Sequence, residues 1–216
     1  MATTQLHYFH PDWIQPSRET LRVEVAVYGS TPAGIMAAVT AAAHGRAVVL
    51  LQPGLHLGGM TAGGLGWTDY GRKHVIGGRA RRFYAQVGAY YGLPEEWHFE
   101  PHVAAAVFGD LLRSAGISVH RAQYLDGVEL DGRRLVRLRL LGGLVVEAGV
   151  FIDATYEGDL MAKAGVRYTV GREANTVYGE SLNGIQVRQY HQFSHPVDPY
   201  VRPGEPASGR LRLVDA

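Results

Sequence analysis

The sequence predicts an α/β protein: a parallel sheet with flanking helices and a three-stranded antiparallel β-ribbon. Three observations carry this. An apolar run at 23–28 ends at Gly29, an Ala-rich helical stretch follows at 34–44, and a second apolar run lies at 47–51. Strand, glycine turn, helix and strand within roughly 30 residues make a βαβ unit. From 124 to 146 the pattern turns short and alternating, with Asp131-Gly132 and Gly142-Gly143 as hairpin signals.

In order, residues 1–21 mix Pro11, Pro16, two histidines and aromatic side chains without a period, and read as an irregular arm. The strand at 23–28 is apolar apart from Glu24, as expected of a buried parallel strand. Ile35, Val39 and Ala42 recur at helical spacing, and Gly45 suits the left-handed position just past a helix end. Helices are predicted at 79–91 and 102–115, the second ended by Gly116, with a third strand at 117–120. After the ribbon, 149–154 returns to a buried strand and 159–164 to a short helix. No strong period follows Thr169, and 190–209, with four of the ten prolines, reads as a loop. The predicted organisation is an arm at 1–21, a core domain at 22–170 and an irregular region at 171–216.

Composition narrows the function. The chain has 216 residues, 46% hydrophobic and 19% charged, which excludes wholesale disorder. Its 21 Lys and Arg nearly cancel 20 Asp and Glu, so neither nucleic acid nor an anionic membrane surface is expected as partner. Cysteine is absent, which excludes disulfides, thiolate metal sites and dithiol redox chemistry. The first residues lack a basic stretch before an apolar run, and no apolar stretch approaches a membrane-spanning length. The expectation is a soluble, cytoplasmic protein. The pairs His7/His10 and His191/His195 have metal-compatible spacing but no third ligand nearby, so no metal is expected. Ser30 and Ser181 lack the surroundings of a hydrolase nucleophile.

Of 28 glycines, nine fall between 54 and 78, beside Trp67, Thr68, Asp69 and Tyr70. A flexible linker would be rich in serine and glycine and free of such large anchors. These glycines instead suit left-handed backbone and close approach of backbone to a ligand.

The first turn, Gly29-Ser30-Thr31-Pro32-Ala33-Gly34, departs from the dinucleotide fingerprint G-x-G-x-x-G of Rossmann-like domains. Gly29 would make the tight turn and Gly34 would allow close helix–strand packing. Thr31 stands in place of the middle glycine, but Thr31 as N-cap and Pro32 at the first helical position make a strong helix start. Free N–H groups and the helix dipole there attract phosphate. A tight turn without a ligand would use the same residues. At the end of the second strand, Gln52 replaces the acidic residue that holds ribose hydroxyls. Its amide oxygen accepts a hydroxyl without the help of charge.

The run Val25-Ala26-Val27-Tyr28-Gly29-Ser30-Thr31-Pro32-Ala33-Gly34, then His56-Leu57-Gly58-Gly59-Met60 and Gly63-Gly64-Leu65-Gly66-Trp67-Thr68-Asp69, resembles bacterial FAD-dependent oxidoreductases of the glutathione-reductase-like superfamily. A later run, Phe151-Ile152-Asp153-Ala154-Thr155-Tyr156-Glu157-Gly158-Asp159-Leu160-Met161, followed by 168–173, is similar to their second signature. The resemblance covers 22–210 and implies a Rossmann-like FAD/NAD(P)-binding fold with FAD as cofactor. It implies that Gly29, Thr31, Ala33 and Gly34 face the FAD pyrophosphate and Gln52 the adenosine ribose. Gly58, Gly59 and Met60 would run beside the pyrophosphate and ribityl chain. Leu125 would contact adenine through its backbone, and Ala154 and Thr155 would line the nucleotide. Tyr156 stands where many relatives have glycine. Leu125 and Ala154 would serve equally as plain core residues.

By the same resemblance, 64–72 would lie nearest the flavin ring, which makes Asp69, Tyr70 and His74 the catalytic candidates. His74 is the natural base near neutral pH, although an exposed loop histidine would look the same. His56 is a candidate phosphate contact, with a covalent flavin link as the remoter alternative. Relatives of this type continue further, so the resemblance implies an N-terminal portion of such an enzyme. The expected function is hydride transfer between a small-molecule substrate and flavin. The alternative is a non-catalytic FAD-binding fragment or subunit, with self-association or a partner chain completing the flavin site. The β-ribbon and Gln52 both disfavour a plain NAD-dependent dehydrogenase.

Overall fold

The computed structural model describes residues 9–184, 198 and 200–209. Its strands are β1 (Thr20–Tyr28), β2 (Val48–Leu51), β3 (Ser118–His120), β4 (Leu125–Asp131), β5 (Arg134–Leu140) and β6 (Val145–Asp153). Its helices are α1 (Pro32–Ala43), α2 (Gly78–Tyr90), α3 (Pro101–Ser114), α4 (Asp159–Lys163) and α5 (Asn175–Tyr178). The strands form one sheet in the order β3-β2-β1-β6-β5-β4. β3, β2, β1 and β6 run parallel, and β5 and β4 close the edge antiparallel. This is the predicted fold class, a mixed α/β sheet with helices against it.

Burial on both faces explains the unbroken apolar stretches at 25–28 of β1 and 48–51 of β2. Successive strand residues point to opposite faces. Val25 and Val27 join Ile35, Ala38, Val103 and Phe108 in the core beneath α1 and α3. Ala26 and Tyr28 join Val49, Leu51, Leu138, Val146 and Leu160 in a second core on the other face. α1 starts at a Thr31 cap with Pro32 in its first turn, and Gly45 beyond it takes φ +74°.

One expectation is revised. The third ribbon strand and the buried strand at 149–154 are a single strand, β6, which pairs antiparallel with β5 at Val145–Glu147 and parallel with β1 along nearly its whole length. The ribbon is therefore the edge of the main sheet. An exposed stretch at Gly149 and Val150 interrupts the apolar pattern of β6 and makes it read as two strands. The arm at 9–19 contains a 3-10 turn, Pro11–Trp13, and Ser17 N–H donates to Gly142 O at 2.7 Å. Two further 3-10 turns, Gly59–Ala62 and Lys73–Val75, shape the glycine-rich segment.

Contacts divide the chain into Met1–Arg167 and Tyr168–Ala216. In the second unit the described residues hold α5 and a 3-10 turn at Pro206–Ser208. Most of the proline-rich stretch expected as a loop before residue 200, and the pair His191/His195, lie outside the described residues, as does His7. Among the described residues, no helix is long and apolar enough to cross a membrane.

Candidate cofactor site

The carboxyl ends of β1, β2 and β6 are in register, with Tyr28 opposite both Leu51 and Asp153. The chain leaves β1 toward β2 on one side, while β6 pairs on the other. Ligands of open α/β sheets bind in the crevice at such a switch point. The turn after β1 is tied to both neighbours: Gly29 N–H donates to Leu51 O at 2.8 Å, and Ala154 N–H donates to Tyr28 O at 2.7 Å.

Glycine at the two fingerprint positions is a steric demand. Gly29 takes φ +100°, and a Cβ there would lie 2.7 Å from the backbone of Ala154 and Thr155. A Cβ on Gly34 would lie 2.0 Å from Gly29 O, so α1 crosses β1 at a distance that only glycine permits. Thr31 is buried and its hydroxyl works twice. It accepts from Gly34 N–H at 3.3 Å and donates to Ala154 O at 2.8 Å, binding the helix start to the end of β6.

Gln52 also has a partner within the protein. Its Oε1 accepts from Ser30 N–H at 2.8 Å and from Ser30 Oγ at 2.6 Å. The expected acceptor for a ribose hydroxyl is thus committed to the first turn, and the amide NH2 is the group left to face a ligand. Tyr28, 2% exposed, accepts Leu125 N–H on its hydroxyl at 3.0 Å, and burial raises its pKa above the ordinary tyrosine value. The phenol therefore stays neutral and positions the start of β4.

Beyond these ends lies a cavity of about 650 Å³, within the size range of ligand sites. Its polar wall is Gly29, Ser30, Thr31, Gln52 and Thr155. Its apolar wall is Phe9, Pro53, Tyr124, Leu125 and Leu141, with Phe9 edge-on to Tyr124 at 4.9 Å between centroids. His56, Gly59 and Tyr156 stand at one end, and Glu157, Asp159 and Lys163 also border it. Partial burial, then the negative charges of Glu157 and Asp153, hold the Asp159 carboxyl above its usual range. Flat apolar surface for a base, polar groups for a ribose and a helix N-terminus for phosphate suit the adenosine half of a dinucleotide.

Of the residues singled out in the sequence, Gly29, Thr31, Gln52, His56, Gly59, Leu125, Thr155 and Tyr156 line the cavity. Gly34 and Ala154 do not line it but pack close together beside Gly29, where a Cβ on Gly34 would lie 2.9 Å from Ala154 Cβ. Gly58 packs on Phe108, where a Cβ would lie 2.6 Å from the ring. Ala33 and Met60 are exposed and off the lining. Asp69, Tyr70 and His74 do not line the cavity; Tyr70 carries Lys73 Nζ at 4.0 Å over its ring and meets Trp97 edge-on at 5.4 Å. Phe9, Tyr28, Tyr124, Leu141 and Lys163 were not singled out. Of these only Tyr28, a polar end to an apolar strand, left a signal in the sequence.

A βαβ unit with a cavity at its switch point defines a Rossmann-like α/β protein with a dinucleotide site. The family model described as FAD dependent oxidoreductase matches residues 24–210, and the chain belongs to that family, whose cofactor is FAD. No curated protein matches by sequence. Among solved structures, an L-proline dehydrogenase from P. horikoshii is similar with a TM-score of 0.56 and 13% identity, over 72% of this chain and 59% of that one. An L-amino acid deaminase from Proteus vulgaris, with its specific insertion deleted, gives a TM-score of 0.47 and 12% identity, over 68% of this chain and 56% of that one. At 13% identity the likeness to the dehydrogenase is one of fold. The chain spans less than two thirds of either structure's length.

Proposed function

We propose that this chain holds FAD with its ADP half in the cavity beyond β1, β2 and β6. It would act as the cofactor-binding portion of a cytoplasmic oxidoreductase that moves a hydride between a small-molecule substrate and flavin. The observation that supports this is the meeting of three separate sequence signatures at one cavity: the first turn, Gly59 of the glycine-rich segment, and Thr155 after β6. In this reading Gly29, Thr31, Ala33 and Gly34 serve the pyrophosphate through the start of α1, with Ala154 and Thr155 beside them. Gln52 serves the ribose, Leu125 the adenine, and Gly58, Gly59 and Met60 the path toward the flavin ring. Bound flavin supplies the hydride acceptor, and the protein supplies orientation and electrostatics. Asp69, Tyr70 and His74 are the proposed polar groups on the ring side.

A second reading, a module completed by another chain or another copy, draws on one observation. In the segment assigned to the ring side, Leu65, Trp67 and Val75 are 65%, 78% and 70% exposed. Exposed apolar patches of this kind mark interaction sites. Visible absorption of the purified protein, after FAD is added and the excess removed, tests the first reading. Retained flavin that bleaches anaerobically with a reduced small-molecule substrate supports an enzyme. Retained flavin that no substrate bleaches supports the module; absence of retained flavin contradicts the first reading and leaves a module that binds flavin only with its partner.

Gln52→Glu tests the ribose assignment. One carboxylate oxygen would keep the two Ser30 bonds, and the other would accept a ribose hydroxyl with charge assistance. Hydrogen bonds to charged groups exceed neutral ones by about 1 kcal/mol. FAD affinity is expected to rise by about fivefold to tenfold in a calorimetric titration. Unchanged affinity would detach Gln52 from the ribose.

A further inference from the structure

We propose that Tyr156 is a ligand-contacting residue that takes over the role of a loop amide at the FAD pyrophosphate; this rests on the FAD reading above. Tyr156 Oη accepts the Met60 N–H at 2.9 Å. The phenol lies against Gly59, which takes φ +50°; a Cβ there would sit 2.2 Å from Oη and 3.3 Å from Pro32 Cδ. The phenol therefore meets the 58–60 loop at Gly59, where that loop also approaches Pro32 at the start of α1, at the end of the cavity that Tyr156 lines.

Its backbone is fixed by a closed network. Asp153 Oδ1 accepts Thr155 N–H at 2.9 Å and Thr155 Oγ at 2.8 Å, and Asp153 Oδ2 accepts Met161 N–H at 2.8 Å. Thr155 Oγ1 in turn accepts Gly158 N–H at 2.9 Å. A tyrosine about half exposed (53%) is thus held in place by the turn that follows β6.

The consequence is chemical. Met60 N–H is covered and cannot reach a ligand directly. Tyr156 Oη accepts one bond, and its own proton has no acceptor among the described residues. A hydroxyl donor on the loop beside the start of α1 suits an anionic phosphate oxygen. The phenol relays the loop amide outward by one hydroxyl.

Two substitutions separate this relay from a plain structural brace. Tyr156→Phe keeps the ring beside Met60 N–H but removes the hydroxyl, which is both the acceptor of that N–H and the outward donor. Tyr156→Gly removes the cover and lets the amide reach the ligand itself. Titration of wild type and both variants with FAD and with ADP is the test, with thermal melting as a check of folding. The relay predicts that Tyr156→Phe weakens both ligands about tenfold, the loss expected for one hydrogen bond to a charged group. It predicts that Tyr156→Gly binds both more tightly than Tyr156→Phe does. Unchanged affinity in Tyr156→Phe, or weaker binding in Tyr156→Gly than in Tyr156→Phe, overturns the proposal while leaving the FAD reading intact. Failure of wild type to bind either ligand overturns the FAD reading and the relay with it.

Discussion

Gly34→Ala is expected to destabilise the protein by about 3 kcal/mol or more, the upper range for forcing atoms into a packed site. Alanine is the better helix former by about 1 kcal/mol, so on an isolated helix the change would stabilise. Here its Cβ would lie 2.0 Å from Gly29 O and 2.9 Å from Ala154 Cβ. The carbonyl cannot yield, because Gly29 is hydrogen-bonded to Leu51 on one side and the strand carbonyl before it to Ala154 on the other. Sterics therefore outweigh propensity, and α1 must lift from β1. A melting temperature lowered by about 6–12 °C is the expected readout for a chain of this size. FAD should bind weakly even below the melt, since the displaced helix start is part of its site. A melting temperature unchanged within about 2 °C would mean that the crossing is looser than described.

Phe108→Ala is the second large effect. Phe108 is 1% exposed and stacks on Phe83 at 4.5 Å between centroids. Its ring also fills the space in front of Gly58, where a Cβ would lie 2.6 Å away. Truncation removes the burial of an aromatic side chain and leaves a void between α2, α3 and the loop, at a cost of about 3–5 kcal/mol. The effect should reach function, because the loop that carries Gly59 and Met60 loses its support from behind. Denaturant unfolding of the free protein measures the first part, and FAD titration well below the midpoint measures the second. A destabilised variant with unchanged FAD affinity would show that the loop does not depend on Phe108.

The βαβ core was legible because physics constrains it tightly. Strands buried on two faces need continuous apolar runs, and a close helix–strand crossing needs Gly34. Thr31 was legible as a helix cap, but its second bond, to Ala154 O, joins residues far apart in the chain and has no local pattern. Gln52 was found by position, yet no sequence rule says that Ser30 will occupy its oxygen. β6 was read as two strands because its exposed middle hides the continuity of its pairing. Phe9 and Tyr124 meet only through the path of the arm, which shows no period. Asp69, Tyr70 and His74 are candidates by residue type within a resembling segment, and residue type carries no information on where a loop side chain lies.

The central claim is that the ADP half of FAD occupies the cavity at the carboxyl ends of β1, β2 and β6. Calorimetric competition tests it most directly, with FAD displaced in turn by ADP and by FMN. ADP is expected to compete with FAD at the same stoichiometry, and FMN, lacking the adenosine half, far more weakly. FMN displacing FAD while ADP does not would contradict it.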